Sequence, residues 1–573
     1  MARRRSGSPA IRLTLLGLVL VIAACSRSAG SAPVEGADVE RTGEVSMESV
    51  AFTDVAAEVG LDFRHSAFRW GAAADTEAMM GGGLCWLDFD RDGWLDLYLV
   101  NSWSEFEWGK WRAEGSIPTS RLYRNDAGHF EDVSDQLGAA VENRANGCVA
   151  ADLDLDGWTD LYLTTTRDNV LLWNDGGDGF TVENVESSPS GASVYGWHGG
   201  ASVGDVDGNG RPDIFVAGYA NVNAPRPTDS GFPRTFEAVA DVLLLNEAPT
   251  DGSRARFTDV AADVGVEPAG ADWGLGVVLS DLDLDGDLDL YVANDTTPNQ
   301  LYEHVADGAG WRYVERGVEA GVGDTGAGMG VAADDADGDE IPDLVATNQI
   351  EERNMLARNV TESTAALTFE VANSAVGVPD FGLGSTGWGT SWSDVDLDGD
   401  LDLLTANGAV PVTGATADLQ HVQLLENRLD SHGELRDAGR ATGLVEQGPY
   451  LGRGLAMGDY DNDGDLDAAV GTIGGQVALL RNSGAGGNWL IVDLGGPRPG
   501  VVVTARLAGG RELRRELVVG GSYLSSHDPR AHFGLGEATE VEELVIGFPD
   551  GGEIRLTDVT AGQILDIDPD DRA

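Results

Sequence analysis

The chain is poor in cations. Its 573 residues hold 37 lysines and arginines against 96 aspartates and glutamates, a formal charge of −59. Nucleic-acid backbones are bound by basic surfaces, so nucleic acid is excluded as a natural partner. Cysteine is scarce, with three in all, and histidine numbers eight. Three cysteines are too few for the fold to rest on disulfides. Catalytic signatures are also missing. No G-x-S-x-G, H-E-x-x-H, P-loop or nucleotide fingerprint stands in a credible context, and no catalytic residue is assigned. At 42% hydrophobic residues the chain has enough apolar material for a large core, which argues against global disorder.

Long apolar runs are absent except at the start. Arg3, Arg4, Arg5 and Arg12 precede Leu13 to Ala24, "LTLLGLVLVIAA". That stretch is too short to span a bilayer as a mature helix and reads as a secretion signal, residues 1–24. Ile22-Ala23-Ala24-Cys25 resembles a bacterial lipobox, which implies cleavage before Cys25 and its lipidation; the alternative is an ordinary signal with an incidental cysteine. The expected location is the cell envelope, at the outer membrane or cell surface, with membrane contact only through Cys25. Residues 25–49 are small and polar, as in a flexible tether.

What the chain has in excess is one acidic pattern, D-x-D-x-D-G-x-x-D, seven times over, with starts 53 to 76 residues apart. The copies offer Asp88, Asp90, Asp92 and Asp96; Asp152, Asp154, Asp156 and Asp160; Asp205, Asp207, Asn209 and Asp213; Asp281, Asp283, Asp285 and Asp289; Asp335, Asp337, Asp339 and Asp343; Asp394, Asp396, Asp398 and Asp402; and Asp459, Asp461, Asp463 and Asp467. Carboxylates this crowded repel one another unless a cation sits among them. Alternating oxygen donors, a glycine for a sharp turn and a closing carboxylate match calcium, which takes six to eight oxygens; magnesium demands stricter octahedral geometry. Up to seven structural Ca²⁺ are expected, with affinities on the order of 10⁻⁴–10⁻³ M if the sites resemble extracellular modules. Strands rather than helices flank each loop, which excludes an EF-hand. The fifth copy carries Glu340 in place of the glycine, which puts its sharp turn in question, and it is expected to fill least readily.

The context repeats too. A Gly-rich apolar stretch precedes each loop and a β-rich run follows. Next comes a short strand ending in asparagine, as in "LYRN" to Asn125, with "LYEH" in the fourth copy, and then a strand opening on an aromatic. Four strands per unit and seven units predict an all-β fold, a seven-bladed β-propeller. No such fourth strand follows Asn482, but a spare one, "FTDV" at Phe52–Val55, precedes the first loop. The N-terminal strand is therefore expected to complete the last blade and close the ring. Cys85 lies three residues before its loop and Cys148 four before its own. On period-two strands these offsets point to opposite faces. They read as two buried apolar residues, with a disulfide as the alternative.

These repeats resemble FG-GAP/VCBS repeats, as in integrin-α-type propellers. "EAMMGGGLCWLDFDRDGWLDLY", "LYVANDTTPNQLY" and "GWGTSWSDVDLDGDLDL" resemble the cartilage-acidic-protein-like family of secreted proteins. "GGSYLSSHDPRAHFGLG" and "VEELVIGFPDGGE" are similar to the ASPIC/UnbV domain that ends such proteins. The resemblance implies a propeller over 50–486 and a small all-β ASPIC/UnbV domain over 487–570, packed after it.

Three weaker features stand outside the loops. His527, Asp528 and His532 suggest a metal or acid–base site, against a structured turn. His198 reads as a core or channel-lining residue. Trp103, Trp108 and Trp111 suggest a sugar-stacking platform, against packing of a long loop. The expected function is a non-enzymatic, calcium-stabilised surface protein that presents the insertions Ser104–Ser120 and Val222–Ala240 to an extracellular protein or glycan. The alternatives are a polysaccharide-acting enzyme with structural calcium and an envelope assembly scaffold.

Overall fold

A computed structural model describes residues 47–572 apart from 69–74, 185–189, 229–230, 249–253, 267–271, 363–365 and 415. The signal and lipidation expectations for residues 1–24 and Cys25, and most of the tether, lie outside the described residues. No described helix is long and apolar enough to cross a membrane.

Seven four-stranded antiparallel sheets form the propeller blades. Their innermost strands are Leu84–Leu87, Ala145–Ala151, His198–Gly204, Gly274–Ser280, Val331–Asp334, Gly387–Ser393 and Gly452–Gly458. Each packs beside the next, and that of blade seven meets that of blade one, so the ring closes. Nearly every residue in these strands is buried, because both faces of a blade pack on neighbours. This explains why they read as continuous apolar runs rather than as alternating ones. Closure uses the predicted strand: Thr53–Asp54 pairs with Ala478–Arg481 as the outer strand of blade seven. No blade edge is left at the join, which removes a site of edge-to-edge aggregation.

The pairing of the two cysteines corrects the sequence reading. Cys85 and Cys148 form a disulfide, with Cα atoms 6.1 Å apart. They occupy the innermost strands of blades one and two. Opposite offsets do point to opposite faces, but in a propeller the facing sides of successive blades are opposite faces. The parity that seemed to separate the two thiols is what brings them together.

The C-terminal segment folds into two sheets. Asn488–Asp493 lies between Ala531–Gly536 and Gln563–Asp566, the last in parallel. Glu512–Glu516, Val502–Arg506, Glu540–Gly547 and Glu553–Thr560 form the second. An apolar layer that includes Leu490, Val503, Phe533, Leu544 and Ile546 fills the space between them. The sequence placed this unit after the propeller; in the structure part of it enters the propeller.

The stretch "VVGGSYLSSH", residues 518–527, runs into the axis of the ring. It accepts hydrogen bonds from Val203 (to the Val519 carbonyl, 2.9 Å), Val331 (to Ser522, 2.8 Å), Cys148 (to Leu524, 3.2 Å) and Trp86 (to Ser526, 3.2 Å). It donates from Gly521 to Val277 O, from Ser526 to Leu84 O and from Ser522 Oγ to Leu455 O. Blades one, two, three, four, five and seven are thus tied to one segment at the axis. Two of the glycines before the acidic loops follow from this. A Cβ on Gly83 would lie 2.0 Å from the Leu524 carbonyl oxygen, and one on Gly147 2.7 Å from it. On the far side Tyr523 is fully buried, donates to Met80 O at 2.6 Å and meets the Trp388 ring edge-on at 4.8 Å.

Candidate metal centres on the loop face

The acidic loops join the first and second strands of each blade, so all seven open on one side of the ring. Their backbone is nearly identical from blade to blade. The first aspartate accepts the N–H of the sixth residue at 2.7–3.1 Å, from Asp88 accepting from Gly93 to Asp459 accepting from Gly464. The fifth residue accepts the N–H of the seventh, at 2.8–3.1 Å. The ninth accepts twice, from the second residue of its own loop and from the residue that ends the third strand, as Asp96 does from Phe89 and Asn125. These bonds explain why short acidic side chains recur at positions one, five and nine: each is an acceptor that shapes the turn before any ion arrives.

Two residues per loop take left-handed backbone. At position four they are Arg91, Leu155, Gly208, Leu284, Gly338, Leu397 and Asn462, with φ between 56° and 77°. At position six they are six glycines and Glu340. The turn doubted for the fifth loop is present: Glu340 sits at φ 71° and still donates to Asp335 Oδ2 at 2.8 Å. The price of this departure is backbone strain of about 1 kcal/mol relative to glycine.

The loops gather their carboxylates. Asp88, Asp90 and Asp96 bring three ligand oxygens within 4.8 Å of one another, as do Asp152, Asp154 and Asp160, and Asp205, Asp207 and Asp213. In blades four and five the groups are Asp281, Asp283 and Asp285, and Asp335, Asp337 and Asp339; two further groups of this kind occur. In blade six Asp394, Asp396 and Asp402 are buried, and in blade seven Asp459 and Asp467. One carboxylate oxygen in each of Asp90, Asp152, Asp337, Asp396 and Asp461 is enclosed and has no hydrogen-bond partner. An enclosed anionic oxygen without a partner is costly. A hard cation at the focus of each loop supplies what these oxygens lack, so the residues present fit such an ion.

The electrostatics agree. Burial, reinforced by neighbouring carboxylates, raises Asp88 and Asp335 to about 6, Asp459 to about 7, and Asp213 and Asp343 to about 8. Asp96, Asp160, Asp289, Asp402 and Asp467 are pushed well above the ordinary range, chiefly by burial. Without a cation these groups bind protons more readily than ordinary carboxylates do.

The asparagine that ends the third strand was legible only as a strand terminus. In the structure it is a latch. Its side-chain amide donates to the second-position carbonyl of the preceding blade's loop: Asn174 to Phe89, Asn246 to Leu153, Asn359 to Leu282, Asn427 to Ala336 and Asn482 to Val395, all at 2.7–2.9 Å. Asn125 reaches Tyr460 of blade seven at 2.8 Å and closes the circuit. Blade four has His304 there. Its ring stacks on Trp311 at 4.8 Å, and Tyr313 Oη takes over the bond to the eighth-position carbonyl, Leu288 O. Replacing Asn174 by alanine removes two buried bonds, the second to Thr159 O. The expected loss is about 2–3 kcal/mol in urea unfolding, against under about 0.5 kcal/mol for an exposed control such as Asn223→Ala.

The C-terminal unit covers part of this face. Arg511 donates to Asp398 O and to Asp400 Oδ1 beside the sixth loop. Arg530 donates to Asp459 O and Asn462 Oδ1 at the seventh, and is held by Asp528 at 2.7 Å. His532 Nε2 meets Gly464 O at 2.8 Å, while His527 Nδ1 accepts from Met457 N at 3.0 Å. Burial holds both histidines down to about 4. The structured-turn reading of this stretch accounts for its geometry: the two histidines and Asp528 fasten it to blade seven. Glu516 accepts from Ser280 Oγ and Asp281 N at the fourth loop.

The remaining sequence candidates lie on the other side or in the core. His198 is buried, with Nδ1 3.2 Å from Asn169 Oδ1. Trp103 and Trp111 are buried, so packing accounts for them; Trp108 is 43% exposed, with the Arg112 guanidinium 4.4 Å from its ring centre.

Comparison with known proteins agrees with these elements. The FG-GAP-like repeat model matches residues 88–163, 152–216 and 244–346, and the ASPIC and UnbV model matches 498–573. The chain is 27% identical over 445 residues to cartilage acidic protein 1 of Homo sapiens, covering 72% of this chain and 60% of that protein. With the Xenopus tropicalis protein it shares 26% over 451 residues, covering 74% and 64%. The chain thus spans under two thirds of the length of these relatives. Among solved structures, an Agrocybe aegerita lectin described as recognising non-reducing terminal N-acetylglucosamine is 15% identical, with a TM-score of 0.36 over 63% of this chain and 80% of that one.

Proposed function

We propose that this chain is an exported, calcium-stabilised binding protein without catalytic activity, which presents the side of its propeller opposite the acidic loops to an extracellular protein or glycan. The observation that carries the reading is the set of enclosed, unpartnered carboxylate oxygens repeated around one face. Calcium supplies their missing partner and fixes the loops, leaving the opposite side free for recognition.

That side carries the connections between second and third strands. The hairpin of Ala220–Pro225 and Phe236–Ala238 stands there, as does the insertion with the helix Trp108–Glu114. Phe106 is 79% exposed and Tyr195 62% exposed. Nearby, Arg167 donates to Glu105 at 3.0 Å. Exposed aromatics beside a charged pair suit a protein or glycan surface. The disulfide supports an oxidising location, since such bonds are rare in reducing compartments. Lipidation at Cys25 would tether the propeller to the envelope. Pull-down and glycan-array binding in calcium and in chelator test the reading. Calcium-dependent capture that is lost in a Phe106→Ala/Trp108→Ala variant supports it, and capture indifferent to both refutes it.

The loops are not equal, and their neighbours rank them. Arg358 forms an ion pair with Asp337 in blade five, where Glu340 also replaces glycine. In blades four and six, Glu303 and Glu426 sit beside Asp283 and Asp396 instead. An added carboxylate strengthens a cation site and a guanidinium weakens it. Asp281→Ala is therefore expected to lower the calcium-dependent rise in melting temperature at least about twice as much as Asp335→Ala, measured by scanning calorimetry with and without the ion.

A further inference from the structure

Between the C-terminal unit and the loops of blades two and three lies a cleft of about 360 Å³. It departs from the acidic character of the chain in one respect. Arg498 Nε and Arg211 Nη2 are both enclosed, both belong to residues lining this cleft, and neither has a hydrogen-bond partner. A guanidinium normally exhausts its donors on carboxylates or carbonyls. In a chain with 96 acids against 37 bases, two arginines of one cleft that each keep a donor without a partner call for an explanation. The third arginine of the cleft, Arg572, is already engaged by Asp550 at 2.8 Å. Arg211 is held in place through its Nε, which donates to Asn246 Oδ1 at 3.1 Å. Pro497, Pro499 and Phe548 supply an apolar wall.

We propose that this cleft binds an acidic saccharide, its ring against the proline and phenylalanine wall and its carboxylate or sulfate on Arg498 and Arg211. A planar guanidinium fork matches both oxyanions. The proposal rests on the calcium reading. Five aspartates line the same cleft, among them Asp152 and Asp205 from the loops of blades two and three. The metal-free cleft therefore repels an anion. Two calcium ions in those loops would offset more than half of the charge of their seven aspartates and weaken the attraction of Arg498 to Asp152. Binding is accordingly calcium-dependent, and the same ions that hold the loops create the site.

The test uses the full chain and two probes, sodium glucuronate for the carboxylate and sodium sulfate for the sulfate, titrated by calorimetry in calcium and in chelator. Saturable binding in calcium, absent in chelator and at least about tenfold weaker in Arg498→Ala and in Arg211→Ala, is the expected result. The stronger probe identifies the oxyanion. Arg498→Gln replaces Arg498→Ala should the latter fail to fold, and thermal unfolding of each variant establishes that it is folded. A calcium titration of the same protein is run first. With calcium bound but no saturable probe binding, or with probe binding unchanged in both arginine variants, the proposal is overturned. It is equally overturned if Arg498→Ala merely tightens calcium, which would make Arg498 a counter-ion of Asp152. Should no calcium bind, the calcium reading fails by itself; saturable probe binding that both arginine variants abolish would then uphold the cleft without its calcium dependence, and any other result would overturn it.

Discussion

Chelating divalent cations is expected to lower the melting temperature by more than about 10 °C, and added calcium to restore it. An ion that binds only the folded chain stabilises it by about 2.7 kcal/mol per site at a hundredfold excess over its dissociation constant. Unfolding entropy of roughly 2 cal/mol/K per residue converts five or six such sites into a shift of that size. The loops explain why the effect is large. Without the ion, Asp90, Asp152, Asp337, Asp396 and Asp461 each keep an enclosed oxygen with no partner.

Acidity should modulate the effect in a defined direction. Asp88 at about 6, Asp459 at about 7 and Asp213 and Asp343 at about 8 all lie above the ordinary carboxylate value. The metal-free folded chain therefore binds protons more tightly than the unfolded one. Their contribution to its stability is complete below about pH 3.8 and is lost as pH rises through 6 to 8. Calcium competes with those protons. The gap between calcium-loaded and chelated melting temperatures should therefore be wider at pH 8 than at pH 5.5. A gap that narrows toward pH 8 would show that protons and metal do not share these oxygens.

Tyr523→Ala is expected to destabilise the whole propeller by about 3–5 kcal/mol, the range for truncating a large buried aromatic. Tyr523 sits in the middle of the axial segment, with no exposed surface, its ring on Trp388 and its hydroxyl on Met80 O. Tyr523→Phe removes only the hydrogen bond and should cost about 1 kcal/mol. Because residues 518–527 tie six blades together, the loss should appear in one cooperative denaturant transition rather than in unfolding of the C-terminal unit alone. A separate early transition, with the propeller's own midpoint unchanged, would show that the axial segment is an accessory.

The repeat, its strands and its acidic loops were legible in the sequence because they are local: periodicity, turn glycines and alternating aspartates act within a few residues. Ring closure was legible because one strand was missing at one end and spare at the other. The disulfide was misread although both offsets were right, since strand parity speaks of one sheet and the cysteines belong to two. The asparagine latch was visible as a recurring residue, but its partner lies about one blade away, and no local rule names it. The path of "GGSYLSSH" through the axis was illegible for the same reason. Its glycines and serines read as a turn, and only the seven converging strands show why small residues are needed there. Glu340 marks the opposite case: the sequence put its turn in doubt, yet the neighbouring bonds of the loop hold it in left-handed backbone.

The most direct test of the account is a count of bound calcium. Native mass spectrometry after equilibrium dialysis against calcium should show more than five ions on each folded chain, with the blade-five loop the last to fill, so that Asp335→Ala leaves the count at low calcium unchanged while Asp281→Ala lowers it by one. A folded chain that emerges with no calcium, or with a count indifferent to Asp281, would contradict it.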